Sequence, residues 1–225
     1  MTTPFPRPGL YAILDLPHAG GLDPAQVAAV VSPYASALQL RAKRATTAER
    51  VALLRRVAPR CAAPVIVNDD IEAALAGVPG VQGLHLGHED LCMHREGRGA
   101  AAFLDELRAR ATARGVAPFY LGLSTHTLDQ VERAASLPVD YLGFGPIHAT
   151  PTKGDTWPEV GLAGLARACA QSPRPVVAIG GLDGPRGRAA IEAGAACAAV
   201  ISALVGASLE ACATKAADLA RALAG

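Results

Sequence analysis

The stretch Val65-Ile66-Val67-Asn68-Asp69 is a short apolar run that ends in an amide and a carboxylate, and a helix-like stretch at 71–77 follows it. Gln39-Leu40-Arg41-Ala42-Lys43 has the same organisation, with an amide and two cations as its polar groups. Short, nearly continuous apolar runs are typical of strands that are covered on both faces in a parallel sheet. The polar groups then stand at the C-terminal ends of the strands.

This unit occurs eight times along the chain, beginning with a strand at 9–15 and a helix at 24–34, where Asp23 precedes Pro24 as an N-cap before a first-turn proline. Strands that alternate with helices require crossover connections and a parallel sheet. Eight units in about 200 residues predict an α/β fold, a (β/α)8 TIM barrel. We expect one domain over 1–225, with 1–8 as an N-terminal extension. The other predicted strands are 37–41, 64–68, 83–87, 119–124, 140–145, 175–180 and 198–202, and the other helices are 47–60, 71–77, 100–114, 127–136, 162–171, 186–193 and 208–223.

An open doubly wound sheet is the alternative fold. Against it, the first strand is followed by the glycine pair Gly20-Gly21 and not by a GxGxxG motif, and no change in composition divides the chain into halves. Two irregular segments, 92–100 and 148–160, are expected to be loops at one end of the barrel. Because long loops of α/β units often cover ligands, we expect the second to close over a substrate.

Composition limits the classes of function. The chain has 225 residues, 51% of them hydrophobic, and a formal net charge of +1, so no overall field attracts nucleic acid. Its five cysteines have no metal-like spacing and their number is odd, which favours a reducing compartment. No run of about 18 apolar residues occurs. We expect a cytoplasmic protein whose partners are small molecules, not nucleic acid or a membrane.

Cations and carboxylates follow neighbouring strands. Gln39, Arg41 and Lys43 alternate along an extended chain and can face one anionic ligand such as a pyrophosphate, although a solvated basic strand end is an equal alternative. Asp69 and Asp90 are interpreted as a Mg2+ pair, because Mg2+ is commonly held by one or two carboxylates together with substrate phosphates. The alternative role, capping the next helix, is assigned to Asp70.

For other polar groups, a structural or hydrogen-bonding role is favoured over a metal-binding or catalytic one. His85, His88, Cys92 and His94 suggest a transition-metal site, but their spacing matches no standard zinc pattern, and His85 is interpreted as a histidine packed inside the barrel. No GxSxG surrounds Ser124, so it is interpreted as a hydrogen-bonding serine. Barrels frequently bind phosphate after their last two strands, where this chain places Gly180-Gly181 and Ser202.

Taken together, these motifs resemble the thiamine-phosphate synthase family over roughly residues 9–223. The blocks that carry the resemblance occur in the family's order: Gln39-x-Arg41-x-Lys43, Val67-Asn68-Asp69, His85-Leu-Gly-x-Glu-Asp90, Gly122-x-Ser124-x-His126, Gly145-Pro146-Ile147 with Thr150-x-Thr152-Lys153, Gly180-Gly181 and Ile201-Ser202-Ala203. The chain departs from the pattern at His88, where relatives often carry glutamine, and at position 148.

The resemblance implies a Mg2+-dependent transferase. It would join the pyrophosphate ester of 4-amino-5-hydroxymethyl-2-methylpyrimidine to thiazole phosphate, or its carboxylate, giving thiamine phosphate and pyrophosphate. It also implies roles for individual residues. The metal would lie on Asp69 and Asp90, the thiazole phosphate on Thr150, Thr152, Gly181, Ile201 and Ser202, and the pyrimidine pyrophosphate on Gln39, Leu40, Arg41, Ala42, Lys43, Asn68, Ser124 and Lys153, with Arg41 and Lys153 as catalytic groups.

We hypothesise a dissociative displacement in which pyrophosphate leaves and the thiazole nitrogen captures the pyrimidine carbon, so no general base is needed. Two alternatives remain. A thiazole tautomerase of the same family would have no pyrophosphate to hold and would use His126 as a proton shuttle. A catalytically silent regulator would bind a phosphate ligand without turnover.

Overall fold

Eight parallel strands form a closed barrel in the computed structural model, which describes residues 8–16, 20–95, 97–149 and 157–224. Each strand pairs with the next, and the last pairs with the first, for example at Leu10 and Ala198. The predicted (β/α)8 fold is therefore confirmed, although the N-terminal extension lies almost wholly outside the described residues. The strands are β1 (Gly9–Asp15), β2 (Ala37–Arg41), β3 (Val65–Asn68), β4 (Val81–Leu86), β5 (Tyr120–Thr125), β6 (Tyr141–Phe144), β7 (Val176–Ile179) and β8 (Cys197–Val200).

Nine α-helices surround the barrel within the described ranges, one more than the sequence predicts. The extra helix is the seven-residue α4, so the expectation that 92–100 is wholly irregular is wrong for its first three residues. Acidic residues in the first turn favour this helix, and buried Leu91 anchors it to the core. The helices are α1 (Pro24–Val31), α2 (Thr47–Val57), α3 (Ile71–Ala74), α4 (His88–His94), α5 (Ala100–Ala113), α6 (Leu128–Ala134), α7 (Gly161–Gln171), α8 (Gly184–Glu192) and α9 (Leu209–Ala224).

Side-chain caps start the helices where the sequence places hydrogen-bonding residues. Asp23 accepts a hydrogen bond from the Ala25 amide at 3.2 Å, which confirms the N-cap before Pro24. Asp70 caps α3 by accepting from the Ala73 amide at 2.9 Å, as expected. The adjacent Asp69 is therefore not needed as a cap and can face the barrel mouth.

Alternate residues of each strand face two different cores. Outward residues such as Leu38 and Leu40 are buried under the helices, whereas inward residues such as Tyr11 and Tyr141 fill the barrel. Glycine makes room for these large rings, since a Cβ at Gly122 would clash with Tyr141 and with His85. No helix in the described part of the chain is long and apolar enough to cross a membrane.

Candidate active site

A cavity of about 390 Å³ opens at the C-terminal ends of the strands. This is the end at which barrel enzymes build their sites, because loops after all eight strands meet there. The residues around it are mostly polar or aromatic. They include Tyr11, Gln39, Arg41, Lys43, Asn68, Asp69, His85, His88, Glu89, Asp90, Ser124, His126, Gln130, Tyr141 and Trp157.

One wall of the cavity carries the predicted cations. Gln39, Arg41 and Lys43 all line it, as the two-residue period of an extended chain requires. The intervening Leu40 and Ala42 are buried on the opposite face, with exposures of 0% and 5%. Strand alternation directs these two side chains away from the cavity, so substrate binding by Leu40 and Ala42 stays a prediction for their backbone atoms.

A buried carboxylate holds one of these cations. The Arg41 guanidinium donates from Nη1 to Oδ1 of Asp15 at 2.7 Å, and the two residues are register partners in β1 and β2. The Asp15 side chain is 1% exposed and that of Arg41 is 11% exposed. Arginine has five N–H donors in a rigid fork, so one contact to Asp15 fixes the group and leaves further donors for an anion.

The neighbouring wall, after β3 and β4, carries Asp69 and Asp90, which the structure brings together across Gly87. A Cβ at Gly87 would clash with the Asp90 carboxylate and lie 3.9 Å from Oδ1 of Asp69. Asp69 has a left-handed φ of 61°, a conformation that aspartate tolerates better than most residues. Its Oδ1 accepts a hydrogen bond from the Gly87 amide at 3.1 Å, and its Oδ2 accepts one from Asn68.

The electrostatics of this acidic pair favour a bound cation. Burial, and then the negative charge of Asp90, raise the pKa of Asp69 above its usual value, against smaller opposing effects that include the charge of Lys43. No group of three or more His, Cys, Asp or Glu side chains in the described residues is arranged to hold a metal. Two carboxylates fit Mg2+, which keeps water and substrate phosphate oxygens as its other ligands.

The floor of the cavity is a chain of hydrogen bonds between side chains. Gln39 donates from Nε2 to the Tyr11 hydroxyl at 3.0 Å, and the hydroxyl oxygens of Tyr11 and Tyr141 lie 2.7 Å apart. His85 continues the chain, with Nδ1 at 3.1 Å from the Tyr141 hydroxyl and Nε2 at 2.9 Å from Oγ of Ser124. His85 packs inside the barrel against Tyr141, as the sequence predicts, and it also lines the cavity.

The two tyrosines in the floor of the cavity are uncharged. Burial raises the pKa values of Tyr11 and Tyr141 well above the usual value of a phenol. Both hydroxyls therefore stay protonated, and each can donate one hydrogen bond and accept others. A floor of this kind suits an uncharged heteroaromatic ring that has both amino and ring-nitrogen groups.

Two stacked rings form the rim. His126 and Trp157 lie face to face, with ring centroids 4.8 Å apart and planes 10° apart. Nδ1 of His126 is 2.6 Å from the carbonyl oxygen of Gly145, so this nitrogen carries the proton, because a carbonyl can only accept. The His126 amide donates to Oε1 of Gln130 at 2.6 Å.

The predicted phosphate residues lie at the same end of the barrel but outside this cavity as the described residues form it. Gly181 follows β7 with a left-handed φ of 62°, and a Cβ there would clash with Ala149 and His148. Ile201 and Ser202 follow β8, where Ser202 begins a 3-10 turn. The remaining predicted residues, Thr150, Thr152 and Lys153, lie outside the described residues, as does most of the predicted closing segment.

Sequence reasoning missed Tyr11, Tyr141 and Gln130. The two tyrosines could have been found from the strand pattern, because each occupies an inward position of an apolar strand. A buried phenol there normally has a hydrogen-bond partner. Gln130 lies in the first turn of α6, where helical periodicity does not distinguish a cavity-facing amide from a solvated one.

Comparisons with known proteins identify the family. The family model described as "Thiamine monophosphate synthase" matches residues 10–204. The thiamine-phosphate synthases of Albidiferax ferrireducens and Anaeromyxobacter dehalogenans are 40% and 36% identical to this chain, covering 87% and 89% of it and 83% and 82% of their own lengths. The solved structure of thiamine phosphate pyrophosphorylase from Pyrococcus furiosus is 25% identical, with a TM-score of 0.73 over 96% of this chain and 95% of that one. The resemblance drawn from the motifs is confirmed, and the chain belongs to the thiamine monophosphate synthase family.

Proposed function

We propose that this protein catalyses the thiamine-phosphate synthase reaction, a transfer that joins a pyrimidine pyrophosphate to thiazole phosphate and releases pyrophosphate; with the thiazole carboxylate phosphate, carbon dioxide is released as well. The observation that carries this proposal is the composition of one cavity. Arg41 and Lys43 lie on one wall, and Asp69 and Asp90 lie on another. A pyrophosphate needs cations, and a magnesium ion shared with it needs carboxylates.

The residues at the mouth would hold the pyrophosphate. Asp69 and Asp90 would bind Mg2+, which neutralises charge that develops on the leaving group. Arg41, fixed by Asp15, and Lys43 would donate to the phosphate oxygens, and Lys153 would act with them. Donors that are already oriented stabilise a leaving anion without reorganisation during the reaction.

The floor would hold the pyrimidine. Gln39 and Ser124 stand at the two ends of the hydrogen-bond chain, so the ring would meet an amide at one edge and a hydroxyl at the other. Asn68 lines the cavity beside them. The thiazole phosphate would bind at the ends of β7 and β8, on Gly181, Ile201 and Ser202, together with Thr150 and Thr152.

The reaction would proceed as a dissociative displacement. The bond from the exocyclic carbon to oxygen breaks, and its electron pair leaves with pyrophosphate. The aminopyrimidine spreads the positive charge, and the lone pair of the thiazole nitrogen then forms the new carbon–nitrogen bond. Because no proton moves in either step, the protein contributes orientation and electrostatic stabilisation.

His126 supports a second candidate, the thiazole tautomerase. Its imidazole lines the cavity, and Nδ1 carries a proton held by Gly145. A histidine poised in this way suits a proton shuttle. The cations and carboxylates favour the synthase, because a tautomerase has no pyrophosphate to hold.

The test is to mix purified protein with the pyrimidine pyrophosphate, thiazole phosphate and Mg2+ and to measure thiamine phosphate and pyrophosphate together. The synthase gives equal amounts of both, and a chelator abolishes both. Lys43→Ala should lower the rate, whereas Arg44→Ala, which removes a neighbouring exposed cation outside the cavity, should not. Isomerisation of thiazole carboxylate phosphate without coupling would identify the tautomerase, and binding without any turnover would identify a regulator.

A cytoplasmic location also belongs to this proposal. Cys61, Cys92, Cys169 and Cys212 are free thiols in the structure, and Cys92 is exposed. Free thiols persist in reducing compartments, where disulfides are rare.

A further inference from the structure

We propose that Arg50 is a positioning residue for the pyrophosphate site: it fixes the loop that carries Lys43 against the segment that carries Asp69. This inference rests on the proposed function, because it assigns Lys43 and Asp69 to the same bound Mg2+–pyrophosphate. Arg50 itself does not line the cavity that the described residues form. Its effect on a ligand would therefore act through the two segments that it joins.

The guanidinium of Arg50 connects three acceptors. Nη2 donates to the backbone carbonyl oxygens of Ala42 at 2.8 Å and Ala45 at 2.9 Å, and Nη1 donates to Oδ2 of Asp70. The side chains of Arg50 and Asp70 are 11% and 10% exposed. Charge-assisted contacts from one rigid, mostly buried fork leave the connected segments little freedom.

On the cationic side, the two carbonyls flank Lys43. Ala42 precedes it and Ala45 follows two residues later, and the Ala45 amide closes the turn by donating to the Ala42 carbonyl at 3.1 Å. Lys43 is exposed at the cavity mouth, where a long side chain has many rotamers. Fixing the turn limits the positions that its ammonium can reach.

On the acidic side, Asp70 follows Asp69 directly. Oδ1 of Asp70 caps α3 through the Ala73 amide, while Oδ2 accepts from Arg50. One carboxylate thus anchors the start of α3 and the turn in which Asp69 adopts its left-handed φ. Loss of the Arg50 contact would loosen Asp69 relative to Lys43 without removing either charge.

Arg108 provides a matched control. It also donates to two backbone carbonyls, Phe119 at 2.7 Å and Pro138 at 3.0 Å, and to one aspartate, Asp140, at 3.0 Å. These acceptors precede β5 and β6, so this arginine joins segments at the end of the barrel away from the cavity. A lysine at either site keeps the positive charge but cannot span three acceptors.

The experiment compares Arg50→Lys with Arg108→Lys in the full-length protein. Melting temperature reports the cost to stability, which both variants should share. Calorimetry measures binding of inorganic pyrophosphate in the presence of Mg2+, and steady-state kinetics measures KM for each substrate. We expect Arg50→Lys to weaken pyrophosphate binding and raise KM for the pyrimidine pyrophosphate by about tenfold or more, as for residues that orient metal ligands, and to leave KM for thiazole phosphate within about twofold.

Equal pyrophosphate affinity in the two variants would overturn the positioning role, even if the wild type makes thiamine phosphate. Absence of pyrophosphate binding by the wild-type protein would also overturn it. A wild type that binds pyrophosphate but makes no thiamine phosphate would reject the proposed function, and selective weakening in Arg50→Lys would still support the positioning role.

Discussion

The hydroxyl oxygens of Tyr11 and Tyr141 lie 2.7 Å apart inside the barrel, and this contact joins two halves of a hydrogen-bond chain. The Tyr11 hydroxyl accepts a hydrogen bond from the side-chain amide of Gln39, and the Tyr141 hydroxyl is hydrogen-bonded to the imidazole of His85. Both phenols are about 1% exposed or less. The chain therefore couples the two groups that we expect to read opposite edges of the pyrimidine, Gln39 and Ser124, through the interior of the protein.

Tyr141→Phe should weaken recognition of the pyrimidine substrate. The substitution removes one hydroxyl from the middle of the chain, so both Tyr11 and His85 lose a partner while the ring packing is kept. Loss of such contacts costs about 1 kcal/mol or more, which corresponds to a rise in KM for the pyrimidine pyrophosphate of about five- to tenfold. Tyr34→Phe is the control, because Tyr34 is 43% exposed. An unchanged KM in Tyr141→Phe would show that the chain does not support the pyrimidine site.

The buried phenols also predict a loss of stability in alkali. Burial raises the pKa values of Tyr11, Tyr120 and Tyr141 in the folded state, and the unfolded value is about 10. Below the unfolded pKa the three phenols are neutral in both states, so the stability of the fold does not depend on their ionisation. Above it, the phenols of the unfolded chain ionise while the buried ones resist ionisation, so the folded state loses stability as pH rises. Melting temperature should therefore fall above about pH 10, with a shallower slope in Tyr141→Phe. Absorbance of tyrosinate can be compared between the folded protein and the unfolded chain at the same pH. Equal absorbance would contradict the raised pKa values of the buried phenols.

Asp69→Asn should separate metal binding from folding. Asparagine tolerates the left-handed φ of this residue, so the backbone is retained. Because the folded-state pKa of Asp69 is raised by burial and by Asp90, the metal-free protein loses stability as this carboxyl ionises, and the neutral amide should leave the melting temperature equal or higher. Turnover at fixed Mg2+ should fall by about 100-fold. Normal Mg2+ activation of Asp69→Asn would exclude this residue as a ligand.

The sequence was sufficient to predict the barrel and the charged residues on two neighbouring walls of its site, for identifiable reasons. Strand alternation alone places Arg41 and Lys43 on the same face, and the capping preference of Asp70 distinguishes it from Asp69. The role of His85 could not be predicted, because its environment depends on Gly122 and Tyr141, which come from other strands. The role of Arg50 could not be predicted either. Its helical position indicates an ordinary surface arginine, and its three hydrogen-bond acceptors depend on the conformation of loops that the sequence does not reveal.

Trp157 should report ligand binding directly. It is the single tryptophan of the chain, and it stacks on His126 at the rim of the cavity. A ligand that enters the cavity changes the water contact or the stacking of the indole, so emission intensity should change saturably with pyrophosphate and Mg2+. Trp157→Phe should abolish the signal while keeping pyrophosphate binding by calorimetry within about threefold, because phenylalanine preserves an aromatic face. Emission that stays constant while calorimetry records binding would place the ligand away from this rim.

Asp140→Ala should lower stability strongly and leave the chemistry intact. Oδ2 of Asp140 accepts hydrogen bonds from the Leu121 amide at 2.7 Å and from Arg108 at 3.0 Å, and the carboxylate is 1% exposed. Removal of this carboxylate should cost about 2–3 kcal/mol, since the buried Leu121 amide and the partly exposed Arg108 guanidinium both lose an acceptor. In contrast, Glu72 is 61% exposed and its partner Arg110 is 33% exposed, so Glu72→Ala should change the free energy of unfolding by about 0.5 kcal/mol or less. Denaturant unfolding measures both free-energy changes. Well below its melting temperature, Asp140→Ala should turn over substrate at a rate near that of the wild type, because these contacts lie at the opposite end of the barrel from the cavity. A large loss of turnover in the folded variant would show that this end of the barrel is coupled to the site.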